Sequence, residues 1–158
     1  MFVKDLMTRK VFTLRADQKA LEAHEIMDWA HVRHVPVVDG EDHVLGLVNR
    51  QDLLRAALAR ISSRANLGPD QQLALIPLDA IWERHVRTVS PEATVRDAAR
   101  LMRAEKLSCL PVVEGGRLVG ILTDHDMLKA LEASAELELV SVERVSPGTV
   151  SPGTAGRS

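Results

Sequence analysis

A threonine and an aspartate stand three residues apart where a predicted strand meets a predicted helix. Thr123 closes an apolar run, and Asp126 falls in the first turn of the helix that follows. A hydroxyl, free backbone amides and a carboxylate therefore converge at one helix N-terminus. A carboxylate accepts two hydrogen bonds from a ribose diol, while the hydroxyl and amides suit ribose or phosphate oxygens. The same pair also suits a plain helix cap, in which Asp126 only complements the helix dipole.

Three other clusters of reactive side chains indicate weaker chemistry. His31 and His34 are three apart, but their helix is predicted to end there without a clear third ligand, so we expect no metal site. Residues 124–126 read Asp-His-Asp, but consecutive helical residues point in different directions. Cys109 enters a predicted half-buried strand, which favours inert packing over a nucleophile near His34. With no Gly-rich phosphate loop either, we expect no enzyme and no cofactor.

The composition argues against several classes of protein. A chain of 158 residues suits one compact domain. The single cysteine excludes an internal disulfide and a cysteine-based zinc cage. Acidic residues (22) outnumber basic ones (20) and aromatic residues make up 3%, so nucleic acid is a poor partner. No apolar run approaches the roughly 20 residues that cross a bilayer, and the N-terminus lacks a signal-peptide layout. We expect a cytoplasmic protein with no membrane partner.

The chain repeats itself at an offset of 75 residues. Residues 9–13 (Arg-Lys-Val-Phe-Thr) fall on 84–88 (Arg-His-Val-Arg-Thr), and residues 35–40 (Val-Pro-Val-Val-Asp-Gly) fall on 110–115 (Leu-Pro-Val-Val-Glu-Gly). The turn at 41–43 is one residue longer than the turn at 116–117, and the offset becomes 74 after it. A length change confined to a hairpin turn is typical of structural repeats.

Each repeat predicts the same order of elements, which is β-α-β-β-α. An early strand at 11–14 or 86–89 leads into a helix whose apolar residues keep a spacing of three or four. In the second repeat this helix is predicted to begin at Thr94, with Asp97 three residues on. A hairpin follows, with strands at 35–38 and 44–48 or at 110–113 and 118–122. The closing helices are predicted at 51–61 and 124–135.

A repeat of about 55 residues buries too little apolar surface to be stable alone. We therefore predict an α+β fold in which two β-α-β-β-α repeats pack sheet to sheet with pseudo-twofold symmetry. Repeat 1 covers 1–61, an intra-domain linker 62–76 and repeat 2 77–135. Residues 136–145 form a C-terminal extension that is either a strand or a helix. A repeated Ser-Pro-Gly-Thr phrase predicts a flexible tail at 146–158.

Three motifs in this order resemble the cystathionine beta-synthase (CBS) domain family: Thr-Val-Ser-Pro at 88–91, Leu-Pro-Val-Val at 110–113 and Gly-Ile-Leu-Thr-Asp-His-Asp at 120–126. The resemblance covers nearly all of residues 1–135. It implies a tandem CBS pair, or Bateman module, with two clefts between the repeats. In many relatives these clefts hold adenosine-containing ligands, so the effectors to expect are AMP, ADP, ATP and S-adenosylmethionine. It also implies a homodimer acting on a protein partner that the sequence does not name.

The resemblance assigns residues to each cleft by combining the closing motif of one repeat with early residues of the other. Cleft A would contain Arg15, Ala20, Val32, Arg33, His34, Ile121, Thr123, His125 and Asp126. Cleft B would contain Leu47, Asn49, Gln51, Asp52, Ser90, Val95, Leu107, Ser108 and Cys109.

The two predicted clefts differ in their polar residues. Cleft A keeps the threonine of the family pattern and gathers arginines and histidines, which suits a phosphate group. Cleft B has Asn49 where the pattern has serine or threonine, and it offers neutral Ser108 and Cys109 instead of cations. We expect a regulatory module that senses an adenosine nucleotide in cleft A. The alternative is a ligand-free dimerisation scaffold in which Thr123 and Asp126 only cap a helix.

Overall fold

The computed structural model describes residues 1–61 and 66–134. Seven elements belong to the first half of the chain: α1 Val3–Leu6, β1 Leu14–Arg15, α2 Ala20–Ala30, β2 His34–Val38, β3 Val44–Asn49, α3 Arg50–Ile61 and α4 Pro69–Leu73. A 3₁₀ helix at Leu78–Ala80 is followed by α5 Val95–Glu105, β4 Cys109–Glu114, β5 Arg117–Thr123 and α6 Asp124–Ala133. Residues 62–65 of the predicted linker, residue 135, the predicted extension at 136–145 and the tail at 146–158 lie outside the described residues.

Two small sheets carry the predicted α+β order. In the first sheet β1 runs parallel to β2, and β2 pairs antiparallel with β3. In the second sheet β4 pairs antiparallel with β5, and Val89 adds one parallel bridge to Val112. The early strands are shorter than predicted, since Val11 and Phe12 lie outside the ladder and border a cleft instead.

Helices α2 and α5 end in the same way. His31 and Lys106 take left-handed backbone conformations, with φ of 54° and 55°, which non-glycine residues adopt only occasionally. At the other end of α5, Thr94 accepts a hydrogen bond from the Asp97 amide at 3.1 Å, so the predicted helix start is confirmed. The left-handed residues turn the chain from each helix into the next strand and place it beside a cleft.

Each hydrophobic core includes residues from outside its own repeat. Val3 and Met7 pack into the core of the second repeat, with α5, β4 and β5. Leu73, Ile76 and Leu78 pack into the core of the first repeat. Residues 66–76, predicted as part of the linker, thus contain α4 and contribute to a core. The core of the second repeat is thus completed by residues near the N-terminus, and the core of the first repeat by residues 73–78.

Two pairs of backbone hydrogen bonds are related by the pseudo-twofold symmetry. Thr8 bridges Ile121 with two hydrogen bonds of 2.9 Å, and the equivalent residues Glu83 and Leu47 bridge with bonds of 2.8 and 3.0 Å. Each bridge joins the last strand of one repeat to the segment leading into the other repeat. The offset of 75 or 74 residues therefore identifies positions that are equivalent in three dimensions.

Gly46 in β3 lies against the aromatic ring of Trp82. A Cβ at this position would meet two ring atoms at 2.9 Å and the Glu83 carbonyl oxygen at 3.2 Å. We expect Gly46→Ala to lower the free energy of unfolding by about 1–3 kcal/mol, because a rigid ring and a backbone atom must move. Urea denaturation measures this change. Gly40→Ala is the control, since nothing lies within 4 Å of the added methyl group; equal effects of both substitutions would contradict the prediction.

Candidate functional site

Cleft A lies between the two repeats and encloses about 510 Å³. Residues from both repeats border it: Thr8, Lys10, Val11, Phe12, Ala30, His31, Val32, Arg33, His34, Ile121, Thr123, His125, Asp126 and Lys129. The structure thus brings together all the residues that the family resemblance assigned to cleft A except two. The volume suits a ligand of small-molecule size.

Arg15 and Ala20 lie elsewhere. Ala20 is fully buried in the core of the first repeat. The Arg15 guanidinium donates a hydrogen bond to the carbonyl oxygen of Asp39 and so ties β1 to the hairpin turn. Neither side chain borders the cleft, because β1 is only two residues long and turns away before α2 begins.

The cap at the start of α6 is formed as the sequence suggests. Oδ2 of Asp126 accepts hydrogen bonds from the backbone amide and the hydroxyl of Thr123, both at 2.8 Å. The Thr123 hydroxyl in turn lies 3.4 Å from the Asp126 amide nitrogen. No described residue donates a hydrogen bond to the other oxygen, Oδ1, although the residue is 8% exposed and borders the cleft. One carboxylate oxygen therefore serves the cap, and the other remains available to a ligand.

Cleft A contains cations that sequence reasoning missed. Lys10 and Lys129 border it together with Arg33 and with three histidines, His31, His34 and His125. Lys129 stands three residues after Asp126 in α6, so the i, i+3 spacing was a signal for it. Lys10 precedes the early strand and gave no such signal. Lys10, Arg33 and Lys129 make their side of the cleft positive, which suits an anionic group.

Two contacts join the repeats beside the cleft. Arg33 Nη2 lies 3.2 Å from Asp124 Oδ1. His34 Nε2 lies 2.9 Å from the Ser108 hydroxyl oxygen. Burial lowers the pKa of His34, the neighbouring Arg33 lowers it further, and Asp124 opposes them. The imidazole of His34 is thus kept neutral at pH 7.

The buried His34 predicts a pH dependence of stability. Its pKa is lowered in the folded state, so below about pH 6.5 the unfolded chain binds the proton more tightly. The free energy of unfolding should therefore fall as the pH drops below about 6.5. We expect His34→Gln to flatten this fall. Urea denaturation between pH 5 and 8 measures it, with the exposed His85→Gln as control; an unchanged slope in His34→Gln would overturn the prediction.

Cleft B encloses about 530 Å³ on the opposite side of the pseudo-twofold axis. It is bordered by Arg33, His34, Leu47, Asn49, Arg50, Gln51, Leu54, Glu83, Lys106, Leu107, Ser108 and Cys109. Three assigned residues do not border it: Asp52, Ser90 and Val95. The hydroxyl of Ser90 accepts a hydrogen bond from the Glu92 amide, and the backbone of Val95 is held by the carbonyl of Met1.

The expectation that cleft B lacks cations is wrong. Arg33, Arg50 and Lys106 all border it. Arg33 reaches both clefts because residues 33 and 34 lie between them. Arg50 comes from the residue before the predicted start of α3, and Lys106 from the left-handed turn after α5. Arg50 and Lys106 were not among the residues carried over from the family pattern, and Arg33 was carried over for cleft A alone.

Cys109 and the remaining histidine and acidic side chains of the described residues do not combine into a nucleophilic or metal-binding site. Cys109 is 5% exposed, and burial, assisted by the carboxylates of Asp124 and Asp126, raises the pKa of its thiol to about 12. This thiol is not a nucleophile near neutral pH. Within residues 1–61 and 66–134, no three histidine, cysteine or acidic side chains are placed to hold a metal ion. Over the same ranges, every helix is too short or too polar to span a bilayer.

The family model of the CBS domain matches this chain twice, over residues 3–59 and 83–133. The chain belongs to the CBS domain family. The two matched segments make it a tandem CBS pair, and its solved structural neighbours are CBS pairs as well. CBS pairs are regulatory modules rather than catalytic ones.

Several solved structures share the fold of this CBS pair. An AcuB protein described as a putative acetoin utilization protein, from Vibrio cholerae, is 33% identical with a TM-score of 0.71, covering 88% of this chain and 98% of its own. The CBS pair of protein MJ0100, in complex with 5-methylthioadenosine and S-adenosyl-L-methionine, is 25% identical with a TM-score of 0.71, covering 84% and 96%. CBSX2 in complex with AMP is 25% identical with a TM-score of 0.68, covering 83% and 96%.

A relative in sequence is the uncharacterized protein MJ1225 of Methanocaldococcus jannaschii, 31% identical over 129 residues, which make up 82% of this chain. The aligned region spans only 42% of that relative's own length. The similarity therefore concerns the CBS module and not the rest of the larger protein.

Proposed function

We propose that this CBS pair binds an adenosine-containing nucleotide in cleft A and acts as a regulatory sensor. The observation that carries the proposal is the free Oδ1 of Asp126, which borders a cleft with a positive side. The AMP complex of CBSX2 and the S-adenosyl-L-methionine complex of MJ0100 support an adenosine ligand. The module would act in the cytoplasm, where its single free cysteine stays reduced.

Each part of such a ligand has a matching part of the cleft. Oδ1 of Asp126 would accept the hydroxyl protons of the ribose. Lys10, Arg33 and Lys129 would neutralise the phosphates. Val11 and Phe12 would offer an apolar wall to the base. This division predicts a preference for AMP, ADP or ATP over adenosine itself.

The proposed mechanism is a shift between conformations of the two repeats. Cleft A is bordered by residues of both repeats, so a ligand there contacts both at once. A ligand shifts an equilibrium only by its differential affinity for the two states. A bound nucleotide would therefore favour the arrangement that closes cleft A and would change the surface offered to a protein partner.

Isothermal titration calorimetry with AMP, ADP, ATP and S-adenosylmethionine tests the proposal, with GMP as the control ligand. We expect saturable binding of at least one adenosine ligand, and GMP to bind at least tenfold more weakly. Native mass spectrometry of freshly purified protein would show a co-purified nucleotide. No binding by any adenosine ligand, together with a flat thermal-shift response, would favour the ligand-free scaffold instead.

Exposed leucines on two helices support a homodimer. Leu54 and Leu58 in α3, and Leu128 and Leu131 in α6, are 53–66% exposed. Leu54 and Leu128 occupy equivalent positions in the two repeats. A symmetric contact uses the same patch on both copies, so these leucines suit a second copy of this chain.

The dimer is tested with Leu58→Glu/Leu131→Glu. Burying two new charges per chain is costly, so we expect the mass from light scattering to fall from two chains to one. Leu75→Glu is the matched control, since Leu75 is 46% exposed but belongs to neither helix. A wild-type protein that runs as a monomer at micromolar concentration would contradict the dimer.

A further inference from the structure

One wall of cleft A has no counterpart in cleft B. In cleft A this wall consists of Lys10, Val11, Phe12 and Ala30. The equivalent residues of the other repeat are His85, Val86, Arg87 and Glu105, and none of them borders cleft B. The two clefts therefore differ in shape as well as in side chains, and cleft B extends instead towards Arg50 and Leu54 at the start of α3.

An ion pair occupies the place of the missing wall. Nε of Arg87 donates to both carboxylate oxygens of Glu105, at 2.9 and 2.8 Å. The pairing raises the pKa of Arg87 and lowers that of Glu105, so both groups stay charged. The pair joins the segment before Val89 to the last residue of α5. Its two residues are equivalent to Phe12 and Ala30, which border cleft A.

The equivalent positions in cleft A carry no charge. Phe12 and Ala30 take the places of Arg87 and Glu105, and no ion pair forms between them. The ring of Phe12 is held instead by Trp29, edge to face, with 5.4 Å between the ring centroids. The residue equivalent to Trp29 is Ala104, which has no ring to hold. At these two positions the wall of cleft A is thus apolar.

Asp52, the residue equivalent to Asp126, has hydrogen-bond partners on both carboxylate oxygens. Oδ2 of Asp52 accepts a hydrogen bond from the Asn49 amide at 2.6 Å, and Oδ1 accepts one from Arg55 at 2.8 Å. The residue equivalent to Arg55 is Lys129, which borders cleft A and makes no ion pair with Asp126. Asp126 therefore keeps a free oxygen that Asp52 lacks.

We infer that the Arg87–Glu105 ion pair closes cleft B to the base of an adenosine ligand, so that each chain binds one such ligand, in cleft A. This inference rests on the function proposed above. An adenine ring entering the place of the pair would separate the two charges or cover them with its face. The face of the ring offers no hydrogen bonds to replace the hydration and hydrogen bonds that the pair would lose. Arg87 and Glu105 are thus specificity-determining residues that act through the shape of the cleft.

Two complementary variants test the inference by calorimetry with AMP and with S-adenosylmethionine. Arg87→Phe/Glu105→Ala/Arg55→Lys gives cleft B the residues of cleft A at three positions. We expect one ligand per chain in the wild type and two in this variant. Phe12→Arg/Ala30→Glu places the ion pair in cleft A instead, and we expect its affinity for the ligand to fall at least 30-fold. Circular dichroism and thermal denaturation verify that each variant is folded.

The control is Lys4→Ala/Glu92→Ala, which removes an exposed ion pair that borders neither cleft and should leave one ligand per chain. Two ligands per wild-type chain would overturn the inference while leaving the proposed function intact. Undiminished binding by folded Phe12→Arg/Ala30→Glu would overturn it as well, as would one ligand per chain in the folded triple variant. No binding by the wild type would instead refute the proposed function itself.

Discussion

Asp126→Asn is expected to weaken binding of AMP by roughly 10- to 100-fold, because hydrogen bonds to a charged group are worth about 1.5–3 kcal/mol. The substitution keeps an oxygen that accepts from the Thr123 amide, so α6 retains its cap. Its new amide group replaces the free oxygen Oδ1 with hydrogen-bond donors. Two ribose hydroxyls would then meet donors in place of an acceptor.

Calorimetry on Asp126→Asn and on Asp52→Asn separates ligand binding from helix capping. Asp52 holds the equivalent place in α3, where both of its oxygens have partners and neither borders a cleft. We expect Asp52→Asn to leave the Kd for AMP within twofold of the wild-type value. We expect it to lower the thermal midpoint by about as much as Asp126→Asn does. Equal affinities of Asp126→Asn and the wild type would mean that Asp126 only caps the helix.

Lys10→Gln/Lys129→Gln is expected to weaken binding of ADP by roughly 10- to 100-fold and to change the affinity for adenosine by less than twofold. Two unit charges about 4 Å apart near a protein surface interact by about 4 kcal/mol before salt screening. Screening and flexible side chains reduce this value for exposed lysines. Because only the phosphates are anionic, the loss should scale with their number, from adenosine through AMP and ADP to ATP.

Titrations at 50 and 300 mM NaCl measure this contribution directly. In the wild type the affinity for ADP should fall with salt, and in the double variant it should depend on salt much less. Lys19→Gln/Lys106→Gln removes the same number of charges without touching cleft A and serves as the control. A salt dependence that is unchanged in Lys10→Gln/Lys129→Gln would show that the phosphates lie elsewhere.

The predictions from sequence succeeded where the decisive contacts are local. The cap between Thr123 and Asp126 and the start of α5 at Thr94 each join residues only three apart, so residue type and spacing are enough to predict them. The hairpins and the repeat itself are similarly local or periodic. These features predicted the α+β order of elements and the CBS family, and the structure and the family match confirm both.

The predictions were incomplete where a wall of the site depends on how the repeats dock. Arg15 and Ala20 match the family pattern, but one ties β1 to a turn and the other is buried in a core. Lys10 and Phe12 border cleft A because the early strand is shorter than its sequence suggests. Whether a side chain reaches a cleft is set by the packing of the other repeat.

The pair of residues that opened the sequence analysis shows where this division lies. The sequence by itself determined that Thr123 and Asp126 share a helix N-terminus, because a hydrogen bond across three residues needs no tertiary context. Only the tertiary structure decided that Asp126 borders a cleft while Asp52, which is paired locally with Asn49 and Arg55, borders neither cleft. Local spacing predicts which groups meet along the chain, but the surroundings of a side chain depend on contacts between residues about 90 positions apart, such as Arg33 and Asp124.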